Sequence, residues 1–404
     1  MMSAIQQLSH NWRQICFALS ALLFLCILPI SASDADTIEM RGFWTRYAKR
    51  PHTILINKQA EQKRIADENK QVRFLYNVDF TTYFDNREYK APYQKAQTFL
   101  NFRLSPEIGV RIKDNIGGTH KLLAGVRYTQ PLGGDWRNIQ LDPIAFYHFQ
   151  YRGFDVGMGA IPYERRISPL PDWLMYDSLT YMHPNLQGAL MAWHGKNGYI
   201  EFMCDWRGSQ TTYRQEMFRL ILDGQYQYKW LLAGGLLHLN HKASFAAPKH
   251  EYVMDDINAN AYLGVNLTRY VPMDSLAIKI GYIFGWERDR ETYESFFPQG
   301  MLVELYANWW FLGLKNTFYY GDNLFPLRAR NAFLNLGDPF YQSHIYNRTD
   351  IFCYLYRSSF VNFYFSWNMH YDAVHLQHQQ QLIVRFNLGG LYHKEQMLRG
   401  LFDK

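Results

Sequence analysis

What the chain lacks narrows it most. Beyond residue 33 of its 404 residues, no apolar run reaches the ~18–20 residues that a membrane-spanning helix needs. Cysteine is scarce, with 4 in all. Cys16 and Cys26 fall in a segment expected to be removed. Cys204 and Cys353 sit on the apolar faces of expected strands and read as free thiols, not a disulfide. No Lys/Arg cluster stands out among 42 basic and 36 acidic residues, net charge +6, so no nucleic-acid partner is expected. Gly-x-Ser-x-Gly, His-Glu-x-x-His and phosphate-cradling glycine motifs are all absent. His238/His241 and His375/His378 are spaced i, i+3, which on a strand sends the two rings to opposite faces. No metal site is expected there, and no cofactor is expected anywhere.

What the chain has in excess is aromatic: 30 Tyr, 28 Phe and 11 Trp, 17% of residues, with a mean hydropathy of only -0.32. A transmembrane β-barrel reconciles the two values. Its girdles use aromatic rings, and its water-facing wall cancels its lipid-facing wall. The N-terminus carries an export signal at residues 1–33: Arg13, the apolar run Ile15 to Ile30, and Ser31-Ala32-Ser33 as a small-residue cleavage site. Residues 34–71 are polar and poorly patterned and read as a periplasmic extension.

From residue 72 the period becomes two. Leu100, Phe102, Leu104, Ile108, Val110 and Ile112 share one face, opposite Asn101, Arg103, Ser105, Glu107 and Arg111, the pattern of a strand with one apolar and one wet side. The same alternation recurs at Phe74–Phe80, Ile200–Trp206, Val303–Trp309, Val361–Trp367 and Leu382–Leu388. About 16 such strands fit, giving an all-β fold: a transmembrane antiparallel up-and-down β-barrel over residues 72–388, followed by a periplasmic tail at 389–404. The long connections, at about 164–184, 241–256, 288–299 and 322–348, all follow odd-numbered strands. Short turns such as Arg152-Gly153 follow even-numbered ones. That layout puts both termini on the periplasmic side of an outer membrane. A soluble β-sandwich would also alternate, but strand number, strand length and loop asymmetry favour the barrel.

The wet faces carry Asp79, Arg103, Glu107, Arg111, Arg127, Glu201, Asp205, Arg207, Arg219, Asp223, Lys279, Glu304 and Arg385. These are the lumen-facing candidates, lining a solute path or only pairing across the wall. Two loops could constrict a pore, one through Asp172 and Trp173, the other through Arg328 and Arg330. In layout the chain resembles the porin-type bacterial outer-membrane β-barrels. The resemblance covers residues 72–388 and is architectural. It implies outer-membrane lipid and the barrel-assembly machinery as partners, and passive diffusion of small hydrophilic solutes as the function. The chain departs from that pattern by continuing past Leu388 instead of ending on an aromatic residue. A surface-binding or assembly barrel, for instance for polysaccharide, is the second reading. A lipid hydrolase comes last: Tyr128-Thr129-Gln130 resembles a stretch of outer-membrane phospholipase A, but that family's His-x-Ser-Asn-Gly motif is missing. The expectation is a protein that is not an enzyme.

Overall fold

The structure, a computed structural model, describes residues 72–389 except 136, 138, 178, 180–182, 244–252, 332–334 and 358–360. The expected signal segment, the N-terminal extension and the tail beyond Gly389 lie outside these residues.

Alternation of apolar and polar side chains dictates the architecture, because each strand must present its two faces to different media. The strands are β1 (Val72–Glu88), β2 (Gln97–Lys113), β3 (Thr119–Pro131), β4 (Gln140–Tyr151), β5 (Phe154–Pro162), β6 (Asn185–His194), β7 (Gly198–Gly208), β8 (Met217–Tyr228), β9 (Leu231–Lys242), β10 (Met254–Asn266), β11 (Ser275–Asp289), β12 (Glu294–Phe296), β13 (Gln299–Trp309), β14 (Leu312–Gly321), β15 (Ile345–Arg357), β16 (Val361–Tyr371) and β17 (Leu376–Gly389). Each pairs antiparallel with its neighbours, and β1 closes the ring on β17 from Asn77↔Gly389 to Glu88↔His378. The short β12 is an appendage on β11, so the closed wall has 16 strands. Closure leaves no unpaired edge, the condition for placing strands in hydrocarbon.

Which medium lies outside is settled by burial. Outward Ile108 and Leu263 are 58% and 69% exposed, while Asp85 and Glu201 on the inner face are 0% exposed. A soluble sandwich would bury the first pair and wet the second. Apolar surface covers the outer wall around the ring, and its solvent is lipid. No helix among the described residues is long and apolar enough to cross a membrane, so the crossing is made by strands. Cys204 and Cys353 are free thiols.

Both described ends, Val72 and Gly389, lie on the rim that carries the short turns. The Arg152-Gly153 turn is one of these, with φ of 44° and 83°, the two positive values a tight hairpin turn demands. A Cβ on Gly153 would sit 2.4 Å from the His194 carbonyl oxygen, so glycine alone fits. The opposite rim is where the longer connections leave and re-enter the wall, between β5 and β6, β9 and β10, β11 and β13, and β14 and β15. Strand limits differ from the sequence reading mainly at β15, which starts at Ile345 and not at 349, and at β12. In both places loop-like polar residues pair because a neighbouring strand offers them backbone partners.

A closed, fully hydrogen-bonded barrel resists detergent. Unboiled protein is therefore expected to run faster on a denaturing gel than boiled protein, and identical mobility before and after boiling would contradict the closed wall.

Candidate functional site

The lumen is not an open tube. After β5 the chain turns inward at Pro162 and forms a 3-10 turn, Tyr163–Arg165, capped by Arg166, and these four residues reach across to the wall. Glu164 lies 3.4 Å from both Arg103 and Arg127. Arg165 lies 3.4 Å from Glu107. Arg166 donates to Glu201 at 2.7 Å and to Asp223, and Glu201 also accepts from the Ile167 backbone N–H at 2.8 Å. Tyr163 donates its hydroxyl hydrogen to Asp205 at 2.5 Å and accepts from Arg219 at 2.6 Å. Wall charges too costly to bury alone are thus answered by a loop of complementary sequence.

The second half of the same connection docks on the connection from 322 to 344. Tyr176 donates its backbone N–H to the Leu336 carbonyl at 3.0 Å, and Asp338 returns one to the Asp172 carbonyl at 2.8 Å. Gly337 permits this approach, since a Cβ there would meet the Trp173 carbonyl oxygen at 2.1 Å. Trp173, Leu174, Leu324, Phe325, Phe340 and Tyr341 are all buried in one cluster, so the lumen near the long-loop rim is filled with side chains. Beneath it lies an ionic group around Arg348, with Asp177 at 2.7 Å, Asp350 at 2.8 Å and Asp172 at 3.5 Å. Lys315 reaches Asp172 at 2.9 Å. A cavity of about 460 Å³ remains, lined by these groups and by Tyr262, Glu304 and Tyr364 among others.

Each residue singled out in the sequence can now be placed. Asp79, Arg103, Glu107, Arg111, Arg127, Glu201, Asp205, Arg219, Asp223 and Lys279 are buried on the inner face. Arg207, Glu304 and Arg385 are half-buried there. Arg385 donates to Asp79 at 2.6 Å, Arg207 to Asn240 at 3.3 Å, and Lys279 lies 4.6 Å from the Tyr262 ring centre, with Glu304 its register partner. Arg111 sits between Arg73 and Lys121 in register. Of the loop residues, Asp172 and Trp173 enter the lumen. Arg328 donates to the Gly337 carbonyl at 2.7 Å and braces the second loop. Arg330 is at the exposed rim, paired with Glu294, and is not brought into the lumen.

Sequence reasoning missed the loop's half of these pairs. Arg165-Arg166, Asp177, Asp338 and Arg348 fall in expected connections, where alternation carries no information. The dibasic step directly after a strand was the available signal. Two loop carboxyls show opposite electrostatics. Burial pushes Asp177 up, but the facing Arg348 outweighs it and holds the group well below the usual carboxylate range. Burial raises Asp338 to about 6, because Arg348 and the Phe340 N–H offset it only in part and Asp172 and Asp177 add to it.

Arg166→Ala is expected to leave Glu201 and Asp223 buried without their cation, at a cost of about 3–5 kcal/mol, read as lower urea resistance together with new chymotrypsin cleavage near Trp173. A variant as resistant as the parent would sink this account. Asp338 has a folded pKa above its unfolded value, so its ionisation opposes folding as pH rises through about 4 to 6. Asp338→Asn is expected to stabilise by roughly 1–3 kcal/mol at pH 8, with the gain gone below about pH 4. Thermal unfolding at both pH values checks it, and a pH-independent difference would contradict the burial argument.

Three comparisons with known proteins bear on identity. Solved structures to which this chain is similar include a loop-deleted OmpT, an outer membrane protein of Vibrio cholerae, at 8% identity and TM-score 0.49, covering 79% of this chain and 100% of that one. They also include Salmonella typhi OmpF in complex with daunomycin, at 9% identity and TM-score 0.44, covering 78% and 97%. A third is Acinetobacter baumannii OccAB3, at 8% identity and TM-score 0.41, covering 78% and 99%. No curated protein matches. A family model described as lipid A 3'-O-deacylase-type matches residues 66–394, which is the entire barrel. This overturns the expectation that the protein is not an enzyme. That expectation rested on missing nucleophile motifs, and a hydrolase that recruits its groups from separate strands leaves no such motif. The chain is an outer-membrane β-barrel protein that belongs to the lipid A 3'-O-deacylase-type family.

Proposed function

We propose that the protein is a membrane-embedded ester hydrolase that removes an O-linked acyl chain from an acylated glycolipid of the lipid A type. The observation that carries this reading is the family match, which spans the barrel from before β1 to after β17. Two features support it. The apolar outer wall lies in the same phase as a lipid substrate, so the substrate arrives laterally and need not leave the membrane. Free diffusion of solutes is also poorly served by this lumen, because two loops hydrogen-bonded to each other occupy it beside the long-loop rim. In this reading the long loops face outward from the cell and both chain ends face the periplasm.

Purified protein mixed with lipid A in detergent micelles is expected to release one fatty acid per glycolipid, seen by mass spectrometry as the loss of one acyl chain. A folded, heat-modifiable preparation that leaves lipid A intact would overturn the proposal. Stepwise conductance in planar bilayers from such an inactive preparation would return the channel reading to first place.

A further inference from the structure

The lumen cavity of about 460 Å³ is roofed by the docked loop through Pro169, Pro171, Asp172 and Trp173. Its lining runs down the inner wall to Tyr199 and Asn362, each the second residue of its strand at the short-turn rim. The chamber is thus blind at the long-loop rim and is reached from the rim that carries the short turns. Its volume is that of a pocket for a small organic molecule.

The charges of the chamber do not balance. Five carboxylates line it, Asp172, Asp177, Asp223, Glu304 and Asp350, against three cations, Lys279, Lys315 and Arg348. Arg348 and Lys315 are taken up by Asp172, Asp177 and Asp350, and Asp223 is answered by Arg166 from the loop. Lys279 is the register partner of Glu304, but its ammonium lies over the Tyr262 ring, 4.6 Å from the ring centre. No described residue forms an ion pair or hydrogen bond with the Glu304 side chain. A carboxylate half-buried in a blind chamber attracts a counter-charge more strongly than one in open solvent.

The surroundings of Glu304 are aromatic. Tyr306 follows it by two positions on the same face of β13 and stacks on Phe352, with ring centres 6.0 Å apart. Phe352 packs on Tyr364 at 5.7 Å, and Tyr364 on Tyr354 at 5.5 Å. Phe352, Tyr354 and Tyr364 line the chamber, and the faces of such rings attract cations. Asn362, at the mouth, adds a side-chain oxygen that is buried without a hydrogen-bond donor. A carboxylate, a vacant acceptor and a bank of rings together select a positively charged guest. An anion would be repelled by Glu304, and a neutral sugar would leave its charge unanswered.

We propose that the chamber binds a small organic cation, an amine or quaternary ammonium whose charge is held by Glu304 and whose carbon skeleton lies against Phe352, Tyr354 and Tyr364. The cation enters from the short-turn rim, the periplasmic side in the orientation given above. Nothing in this depends on the deacylase reading, because every group named is on the inner wall.

Calorimetric titration of the whole protein in a non-ionic detergent tests it, with choline as the probe. The control is the neutral analogue of choline in which carbon replaces nitrogen. Choline is expected to bind one to one, and the neutral analogue at least ~10-fold more weakly. Glu304→Gln keeps the shape and loses the charge, and is expected to weaken choline binding by ~10-fold or more. Tyr364→Leu is expected to weaken it by about 2–5-fold. Glu291→Gln removes an exposed carboxylate at the long-loop rim and is expected to bind as wild type does. Each variant is first shown to be folded by heat-modifiable migration. Absence of choline binding to folded wild type overturns the site, as does equal binding of the neutral analogue. Unchanged affinity in folded Glu304→Gln, or an equal loss in Glu291→Gln, overturns it too.

Discussion

The structure depends on the meeting of four consecutive loop residues, Tyr163 to Arg166, with charges on the inner wall. Arg103, Glu107, Arg127, Glu201, Asp205, Arg219 and Asp223 are contributed by β2, β3, β7 and β8. Each is placed inward by strand alternation, and each would be costly to bury without a partner. The loop supplies ionic or hydrogen-bonding partners for all of them within one short turn. Loop and wall thus hold each other in place: the wall sets where the loop goes, and the loop makes the wall's charge tolerable.

From that arrangement follows a division of labour between the two faces. The inner face is used for internal neutralisation, so its many ionisable groups are structural before they are anything else. The outer face meets the membrane, and through the middle of the wall its side chains are apolar.

Alternation makes the wall legible: Leu104 against Arg103 and Ile108 against Glu107 fall on opposite faces in sequence and in the barrel alike, because period two is the direct signature of a two-sided strand. The sixteen-strand count and the rim that bears long connections came from the same signal. The loops were not legible. Trp173 and Asp172 could be singled out, but not the inward path that pairs Asp172 with Lys315 and Arg348, since nothing periodic governs a connection. Arg330 looked like Arg328 in sequence and ended at the exposed rim, a difference set by a short strand, β12, with only three residues.

The backbone bonds between the Asp172–Tyr176 and Leu336–Asp338 segments have a mechanical consequence. A thin cylinder squeezed sideways flattens easily, because its wall need only bend. Here one connection springs from β5 and β6, the other from β14 and β15 on a distant arc of the ring, and the two are fastened to each other inside it. They act as a strut across the bore, which resists flattening under lateral pressure from the bilayer and keeps the wall circular at the long-loop rim.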